Sequence, residues 1–488
     1  MSADGLLTVV LYILATYLFL TRLFLGGSQM HSFLRVVGVT PLLMLAGAHL
    51  ASGSTRHDQP RARRAEMVPD TGSRSAIDST LAVATFDSVW QIVGTSLQDR
   101  RVTRVDWSAV GRELRPRAER AATDSALRSV IVDMLGRIGE SHFALLPSET
   151  SAPGNAPSAD ASLGSAGITL RVADGRVVVW RVDSAGSARR AGVAPGWVVD
   201  RIDDYRVPTL GAADTATLQR MFSTIAATRA LRGPPGVTVR LVGRDAAGMQ
   251  RDLSFPRDSL RGPFVRFGNL PPLAPSFEAS RHRLADGRCV GVIRFEYWLP
   301  PIMPALDRAV QSTRDCAGMV VDLRGNPGGV AAMMMGVAGH FLNEPLTLGT
   351  MRTRGDEMRF VANPRRSTEA GLTVEPYGGP LAILVDGMAA STSEMFSASL
   401  QALGRARVFG ERTSGQALPA IATRLPNGDV LMHVIADFVA SDGSRIEGRG
   451  VVPDEPVRLT RADLVAGRDA AFDAAVRWIE RARQGGPK

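Results

Sequence analysis

Two segments of the chain combine an apolar run with a glycine-bearing turn and a helical pattern: Val320 to Gly329 (VVDLRGNPGG) and Leu384 to Glu394 (LVDGMAASTSE). In the second, Ser391 lies where a helix would begin, and unpaired backbone N–H groups and the helix dipole favour negative charge there. The Thr392 N–H would stabilise an oxyanion on an attacked carbonyl, and the turn at Gly328 and Gly329 could bring a second N–H close. These residues allow nucleophilic attack by a serine.

The same pattern has a purely structural interpretation. SxxE at Ser391 to Glu394 is also a helix-capping pattern, in which the serine closes the first turn of a helix. The residues of this segment alone leave both interpretations open. A serine hydroxyl is in any case a weak nucleophile until a base takes its proton, so a base must be found elsewhere.

The composition describes a folded protein of several domains. The chain has 488 residues, with 45% hydrophobic and 22% charged side chains, and domains hold roughly 100 to 200 residues each. Its net charge is +9, and because Lys488 is the only lysine, the remaining 56 of 57 basic residues are arginine. No basic run is interleaved with aromatic residues, so nucleic-acid binding is not expected and the arginines are predicted to lie on the solvated surface.

The N-terminal region predicts export. Residues 6–25 are apolar except for Arg22 and are long enough to span a bilayer, whereas Val36 to Ala48 follows Arg35 and has the layout of a signal peptide. Residues 1–65 are therefore expected to form a leader and linker, either as a membrane anchor at 6–25 or as a signal peptide that starts at Met30. Either version places the rest of the chain in the periplasm or outside the cell.

The remaining sequence divides into three regions. Residues 75–148 carry apolar residues at helical spacing, and a Ser/Ala/Pro/Gly-rich linker follows at Glu149 to Ser165. Short β-rich runs occupy residues 161–257. In residues 264–488 strands alternate with helices, which predicts an α/β domain.

The two cysteines, Cys289 and Cys316, match no metal-ligand spacing, and no metal or cofactor is expected. Each stands near the start of a predicted strand of the α/β domain. Neighbouring parallel strands would bring the two thiols to the same end of the sheet, and export would permit a disulfide. The sequence leaves the bond open.

The β-rich region resembles a PDZ domain through AGVAPGWVVDRID at Ala191 to Asp203. The resemblance implies that a peptide adds as a strand to a sheet edge and that its terminal carboxylate binds a loop of backbone N–H groups. The residues implied for that loop are Ser165, Ala166, Gly167 and Ile168. A β-rich spacer that only packs against its neighbours remains the alternative.

Over roughly 400 residues, the chain resembles the C-terminal processing and tricorn-core serine peptidases. The motifs that carry this resemblance are DLRGNPGG, AASTSE and the segment Gly404 to Gly415. It implies a crotonase-like α/β catalytic domain, an N-terminal helical domain and an inserted PDZ domain. It also implies that Ser391 is the nucleophile.

The family supplies the base in two ways, and this chain fits only one of them. A lysine 25 residues after the serine would stand at position 416, which is Gln416. The tricorn branch instead uses a Ser-His pair from the N-terminal domain, which Ser141 and His142 in GESHF resemble. IEGRGVVPD resembles the turn whose glutamate completes the tetrad, which implies Glu447. His142 would deprotonate Ser391, while Ser141 and Glu447 orient its imidazole.

The sequence therefore predicts an exported serine endopeptidase that acts on peptides or unfolded proteins. Two alternatives come from other classes of protein. One is a non-catalytic ligand-binding protein on the same fold, as in the interphotoreceptor retinoid-binding proteins. The other is an interaction scaffold that works through the PDZ domain alone.

Overall fold

The computed structural model describes residues 76–147 except 101 and 103, and residues 164–484 except 211–216, 261–263, 266–272, 274–275 and 369–370. The predicted leader at 1–65, with its membrane attachment at 6–25, lies outside the described residues. So does most of the predicted linker. Among the residues that are described, no helix is both long enough and apolar enough to cross a membrane.

The N-terminal region is helical, as its apolar spacing predicts. It forms three helices, α1 (Ser79–Asp99), α2 (Trp107–Glu119) and α3 (Asp124–Gly136). A side chain caps the start of each, because Asp78, Asp106 and Thr123 each accept a backbone N–H of the first turn. The buried faces share one core, which also includes Leu425 and Leu431 from the C-terminal domain. The helical domain is therefore packed directly onto the α/β domain.

After α3 the chain enters the C-terminal domain at once. Strand β1 (Ala144–Leu146) pairs antiparallel with Val430–Val434, so the segment that carries Ser141 and His142 is held between α3 and this strand. The sequence assigned these residues to the helical domain alone. Three residues are too few for the alternation that would reveal a strand.

The β-rich region has one main sheet in the order β3-β4-β5-β8-β9, and strand β3 lies at its edge. Its strands are β2 (Gly164–Ser165), β3 (Ile168–Ala173), β4 (Arg176–Val182), β5 (Val198–Ile202), β6 (Tyr205–Arg206), β7 (Arg232–Gly233), β8 (Thr238–Arg244), β9 (Gln250–Pro256) and β10 (Asp258–Ser259). Two helices accompany them, α4 (Ser187–Arg190) and α5 (Thr217–Ala230), and α5 packs beside β3. The main sheet and α5 enclose a separate apolar core.

The C-terminal domain is built on a six-stranded sheet in the order β11-β12-β13-β16-β17-β21, parallel from β12 to β21. Its strands are β11 (Phe277–Arg283), β12 (Cys289–Phe295), β13 (Gly318–Asp322), β14 (Leu346–Arg352), β15 (Glu357–Ala362), β16 (Leu381–Val385), β17 (Arg407–Gly410), β18 (Ala420–Arg424), β19 (Val430–Val434), β20 (Asp437–Ala440) and β21 (Glu455–Pro456). The helices are α6 (Met303–Ser312), α7 (Met333–Ala338), α8 (Thr392–Ala402), α9 (Arg461–Val465) and α10 (Ala470–Gln484). The central strands β13 and β16 are fully buried, as expected for a sheet covered on both faces.

The expectation that the arginines lie on the solvated surface is wrong for several of them. Arg100, Arg171, Arg257 and Arg324 are buried, and each pairs with at least one carboxylate. Guanidinium groups tolerate burial when such partners satisfy their fixed fork of donors. Sequence spacing could not reveal this because the partners come from distant segments.

Candidate active site

Ser391 lies at the N-terminus of α8, in the turn that follows β16. Its φ of 54° is in the left-handed region, a conformation that costs energy in a non-glycine residue and is often found at functional sites. Its backbone N–H donates to the carbonyl of Gln416 at 2.7 Å and to Oε2 of Glu394 at 3.2 Å. The predicted capping role is therefore present, and it fixes the serine in this strained position.

The Glu394 carboxylate organises the loop that faces Ser391. It is fully buried and accepts hydrogen bonds from the N–H groups of Gly415 (2.7 Å) and Gln416 (2.9 Å) and from the hydroxyls of Thr413 and Ser414. Burial raises the pKa of Glu394 to about 7, although these donors lower it. From the sequence, SxxE assigns Glu394 only a role in helix capping, because nothing in that pattern indicates its contacts with Thr413 to Gln416.

The glycine turn predicted to supply an oxyanion donor lies against the serine. A Cβ placed on Gly328 would be 2.6 Å from Cβ of Ser391 and 3.0 Å from the backbone nitrogen of Thr392. Thr392 is the first residue of α8, so its N–H has no acceptor within the helix. The Gly328 N–H, however, donates to Oδ1 of Asn326 at 2.9 Å. The turn therefore brings Gly328, Ser391 and Thr392 together but engages one of the proposed donors internally.

Buried charges and hydrogen bonds fix this turn. Arg324 donates to both carboxylate oxygens of Asp322 (2.9 and 2.8 Å) and of Asp469 (2.7 and 2.8 Å). Asp322 is desolvated, but the charges of Arg324 and Arg294 hold its pKa well below the usual range. Gly329, with a φ of 146°, packs so closely that an added Cβ would be 2.4 Å from the carbonyl oxygen of Trp298.

Ser141, His142 and Glu447 form one hydrogen-bonded chain. Oγ of Ser141 lies 2.7 Å from Nδ1 of His142 and donates to Oε2 of Glu447 at 3.0 Å. The Ser141 N–H donates to the other oxygen of the same carboxylate, also at 3.0 Å. Because the single hydroxyl proton of Ser141 goes to Glu447, Nδ1 of His142 must carry the proton it shares with Ser141. Nε2 of His142 is then the unprotonated nitrogen, as a general base requires.

One short segment, Gln416 and Ala417, connects this hydrogen-bonded chain to Ser391. Ala417 N–H donates to Oε2 of Glu447 at 2.8 Å, and the preceding carbonyl, of Gln416, accepts the Ser391 N–H. Within the described part of the protein, no hydrogen bond joins Oγ of Ser391 to His142. Catalytic contacts are often long in unliganded enzymes and shorten when the site closes.

His142 is held in an unusual conformation with a φ of 61°. Burial lowers the pKa of His142 to about 4, so its imidazole is neutral at physiological pH and able to accept a proton. The other histidines among the described residues have different surroundings. His340 is buried with Nε2 2.8 Å from Oδ1 of Asp307, His433 lies by Thr423, and His282 contacts Phe472 edge-on.

Gln416, at the position where the resemblance would place a lysine, contacts the β-rich domain. Its Nε2 donates to Sδ of Met221 on α5 at 3.3 Å. Beside this contact, Arg171 of β3 donates to Oδ2 of Asp386 at 2.6 Å, and Oδ1 of Asp386 caps the turn before Ser391 through the N–H groups of Met388 and Ala389. The β-rich domain therefore contacts the Ser391 turn through Asp386 and the loop that faces this turn through Gln416.

The loop predicted to bind a peptide carboxylate is only partly a loop. Ser165 belongs to β2 and pairs with β7 and β10, and Ile168 begins β3. The Ala166 N–H donates to the Leu231 carbonyl at 3.1 Å, and the Gly167 N–H to Oγ of Ser165 at 3.3 Å. Two of the expected backbone donors are therefore engaged within the domain.

Cys289 and Cys316 form a disulfide with Cα atoms 4.8 Å apart. It lies where the parallel strands β12 and β13 begin, which is the arrangement considered from the sequence. Elsewhere in the described ranges, no group of three or more His, Cys, Asp or Glu residues could hold a metal ion.

Comparisons with known proteins agree with this architecture. Residues 290–457 match the model of peptidase family S41, and residues 84–136 match the tricorn protease C1 domain. The carboxyl-terminal-processing protease of Synechocystis is 24% identical over 79% of this chain and 84% of its own length. Tricorn protease homolog 2 of Streptomyces coelicolor is 25% identical over 80% of this chain but only 32% of its own length.

Among solved structures, the photosystem II D1 C-terminal processing protease superposes with a TM-score of 0.52 at 21% identity, covering 80% of this chain and 98% of its own. Mature CPAF in complex with lactacystin superposes with a TM-score of 0.55 at 13% identity, covering 83% and 98%. These likenesses show the fold.

The fold and the family matches define a serine-type peptidase, which is a hydrolase. Its C-terminal domain matches the model of peptidase family S41, and its helical domain matches the tricorn C1 domain. The resemblance to the C-terminal processing and tricorn-core peptidases is thus confirmed.

Proposed function

We propose that the protein is an exported serine endopeptidase that cleaves peptides or unfolded proteins through an acyl-enzyme at Ser391. The hydrogen-bonded chain Glu447–Ser141–His142 beside the Ser391 turn is the observation that carries this proposal. His142 takes the Ser391 proton as the hydroxyl attacks the scissile carbonyl, and returns it to the leaving amine. Glu447 and Ser141 stabilise the imidazolium that exists between these steps.

The oxyanion of the tetrahedral intermediate receives the Thr392 N–H, with a second donor from Gly328 or Gly329. The Gly328 N–H would first have to leave Asn326, and the distance between His142 and Ser391 would have to shorten when substrate binds. Export rests on the sequence of the leader. The hydrolysis needs no metal and no cofactor, because serine, histidine and backbone donors supply the nucleophile, the base and the electrostatic stabilisation.

The β-rich domain acts as a PDZ domain that captures the C-terminus of a substrate or gates the site. Strand β3 is an edge strand, where a peptide can add. Arg220 of α5 donates to the carbonyl of Val172 on that edge at 3.0 Å and to Glu411 of the catalytic domain at 3.2 Å. A cavity of about 310 Å³ lies here between the two domains and is lined by Arg171, Arg220 and Asp386. A peptide on β3 would therefore displace contacts that reach the nucleophile turn.

The test is digestion of an unstructured protein by the full chain, comparing wild type with Ser391→Ala and His142→Ala, with fragments identified by mass spectrometry. Cleavage by wild type alone supports the proposal, and its fragment ends report the specificity. Equal cleavage by all three contradicts the roles of both residues. If all three are inert while folded, the ligand-binding alternative is favoured.

The role of the PDZ-like domain is tested with a chromogenic substrate blocked at its C-terminus. A short peptide with a free C-terminal carboxylate is added in parallel with the same peptide carrying a C-terminal amide. A change in kcat with the carboxylate peptide alone supports gating by a captured C-terminus. Identical rates with both peptides contradict it.

A further inference from the structure

Glu140, which directly precedes Ser141, holds a buried carboxylate among three guanidinium groups. Its oxygens lie 2.8 Å from Arg100, 2.9 Å from Arg104 and 3.3 Å from Arg445, and only 3% of the Glu140 side chain is exposed. Burial by itself would raise the pKa of Glu140, but hydrogen bonding and charge from Arg100 lower it. The carboxylate is therefore ionised and tied to its partners.

Two of these partners extend the cluster to the catalytic domain. Arg100, at the end of α1, also pairs with Asp437 on β20 at 3.0 Å, and its side chain is fully buried. Arg445 contacts the same Asp437 at 3.2 Å and stands two residues before Glu447. Arg104, by contrast, bonds among the described residues only to Glu140 and to the Ile138 carbonyl, which both belong to the helical side.

The cluster thus brackets the hydrogen-bonded chain of the active site from both ends. On one side Glu140 is covalently next to Ser141, and on the other Arg445 is two residues from Glu447. Between them lie the two 3.0 Å bonds from Ser141 to Glu447. A shift of Glu140 relative to Arg445 would therefore change the length of these two hydrogen bonds and the orientation of the His142 ring.

We propose that Glu140, Arg100 and Arg445, with Asp437, are positioning residues that clamp the helical domain onto the catalytic domain and set the alignment of His142. This inference rests on the proposed function and assigns a role to a glutamate that the proposed mechanism does not use. None of the four touches the reacting atoms. They act through Ser141 and Glu447.

Removing one residue of the clamp leaves a buried charge without its partner and favours movement of the segment from Glu140 to His142. A displacement of about 1 Å in a catalytic group can lower the rate of the chemical step about 100-fold. The proposed function assigns none of the four residues to substrate binding, so the effect should fall on kcat and not on KM.

The experiment compares wild type with Glu140→Gln, Arg445→Gln and the matched control Arg104→Gln in the full chain. Arg445 and Arg104 are similarly exposed, at 46% and 51% of their side chains, and both contact Glu140. Of these two arginines, only Arg445 belongs to the catalytic domain, so only its contact with Glu140 joins the two domains. For each variant, kcat and KM are measured on the same peptide, the melting temperature is recorded, and active sites are counted with a fluorophosphonate.

We expect kcat per active site to fall about 10- to 100-fold in Glu140→Gln and Arg445→Gln, with KM unchanged within about threefold. Arg104→Gln should stay within about threefold of wild type in both constants. If Glu140→Gln fails to fold, Arg445→Gln still tests the inference, because the half-exposed Arg445 side chain can be replaced without leaving a buried site empty.

Two results would overturn the inference alone: variants that lose melting temperature but keep the wild-type kcat per active site, or an Arg104→Gln defect as large as that of Arg445→Gln. In both, cleavage by the wild type still depends on Ser391, so the proposed function stands. A folded wild type without Ser391-dependent cleavage would overturn both proposals.

Discussion

Ser141 donates two hydrogen bonds to Glu447, from its N–H and its Oγ, each at 3.0 Å, although 306 residues separate the two in the sequence. This double contact joins the end of the helical domain to the catalytic domain. It also fixes which ring nitrogen of His142 carries a proton, because Ser141 has no second proton to give. The tautomer that a general base requires is therefore built into the interface between the two domains.

The pH dependence of the reaction follows from the burial of His142. Burial lowers the pKa of His142 from 6.5 to about 4, and the neutral ring is the active form. The acid limb of kcat/KM should therefore fall near pH 4, with activity lost as the pH drops through that value. A pH–rate profile on a neutral peptide measures it, since kcat/KM reports the free enzyme. A limb near pH 6.5 would mean that the ring is solvated.

The Glu394 carboxylate should be essential for the geometry of the Ser391 turn. Glu394→Gln keeps the size of the side chain but places its amide NH2 against the N–H of either Gly415 or Gln416, each of which needs an acceptor. An unmatched buried donor costs about 1–3 kcal/mol. We expect kcat to fall about 10- to 100-fold in a protein that still folds, as judged by circular dichroism.

Glu411→Gln is the matched control for this prediction. Glu411 is another glutamate of the catalytic domain, with 16% of its side chain exposed, but its hydrogen bonds go to Arg220 and to the Leu459 N–H, not to the loop beside Ser391. An equal loss of kcat in both variants would show that the role assigned to Glu394 is not specific.

The close approach of Gly328 to Ser391 predicts a steric effect. In Gly328→Ala the new Cβ would be 2.6 Å from Cβ of Ser391, so one of the two must move. Gly443→Ala is the control, because Gly443 also has a positive φ, 79°, but open space around it. Activity should fall at least 100-fold in Gly328→Ala and stay within a few fold in Gly443→Ala, as measured on a peptide substrate. Equal effects would mean that backbone strain alone is responsible.

The sequence predicted much of this structure, and its omissions have one physical cause. Local periodicity indicated the helical N-terminal region and the α/β alternation of the C-terminal region, because these depend on neighbours in the chain. Glu140 and Glu394 acquire their surroundings from segments far away, so no local pattern marks them. The motif that contains Ser391 was recognised because its turn residues are neighbours in the sequence. The contact between Ser391 and Gln416 was not predicted, because these residues are 25 positions apart.

Reduction of the disulfide between Cys289 and Cys316 should destabilise the catalytic domain. The bond closes a loop with a sequence separation of 27 residues, for which the chain-entropy relation gives roughly 3.5 kcal/mol. Thermal unfolding with and without reductant should show a lower melting temperature in wild type. The variant Cys289→Ala/Cys316→Ala should be insensitive to reductant. An unchanged melting temperature in fully reduced wild type would contradict this contribution.

The most direct test of the account is the rate at which a fluorophosphonate labels Ser391, followed by intact mass and peptide mapping. Attack by the Ser391 hydroxyl on phosphorus expels fluoride and needs the same base as peptide hydrolysis, but it needs no substrate specificity. The account predicts a single adduct at Ser391 in wild type, none in Ser391→Ala, and labelling at least 100-fold slower in His142→Ala. Labelling of Ser391 at the wild-type rate in His142→Ala, or an adduct at another serine, would contradict it.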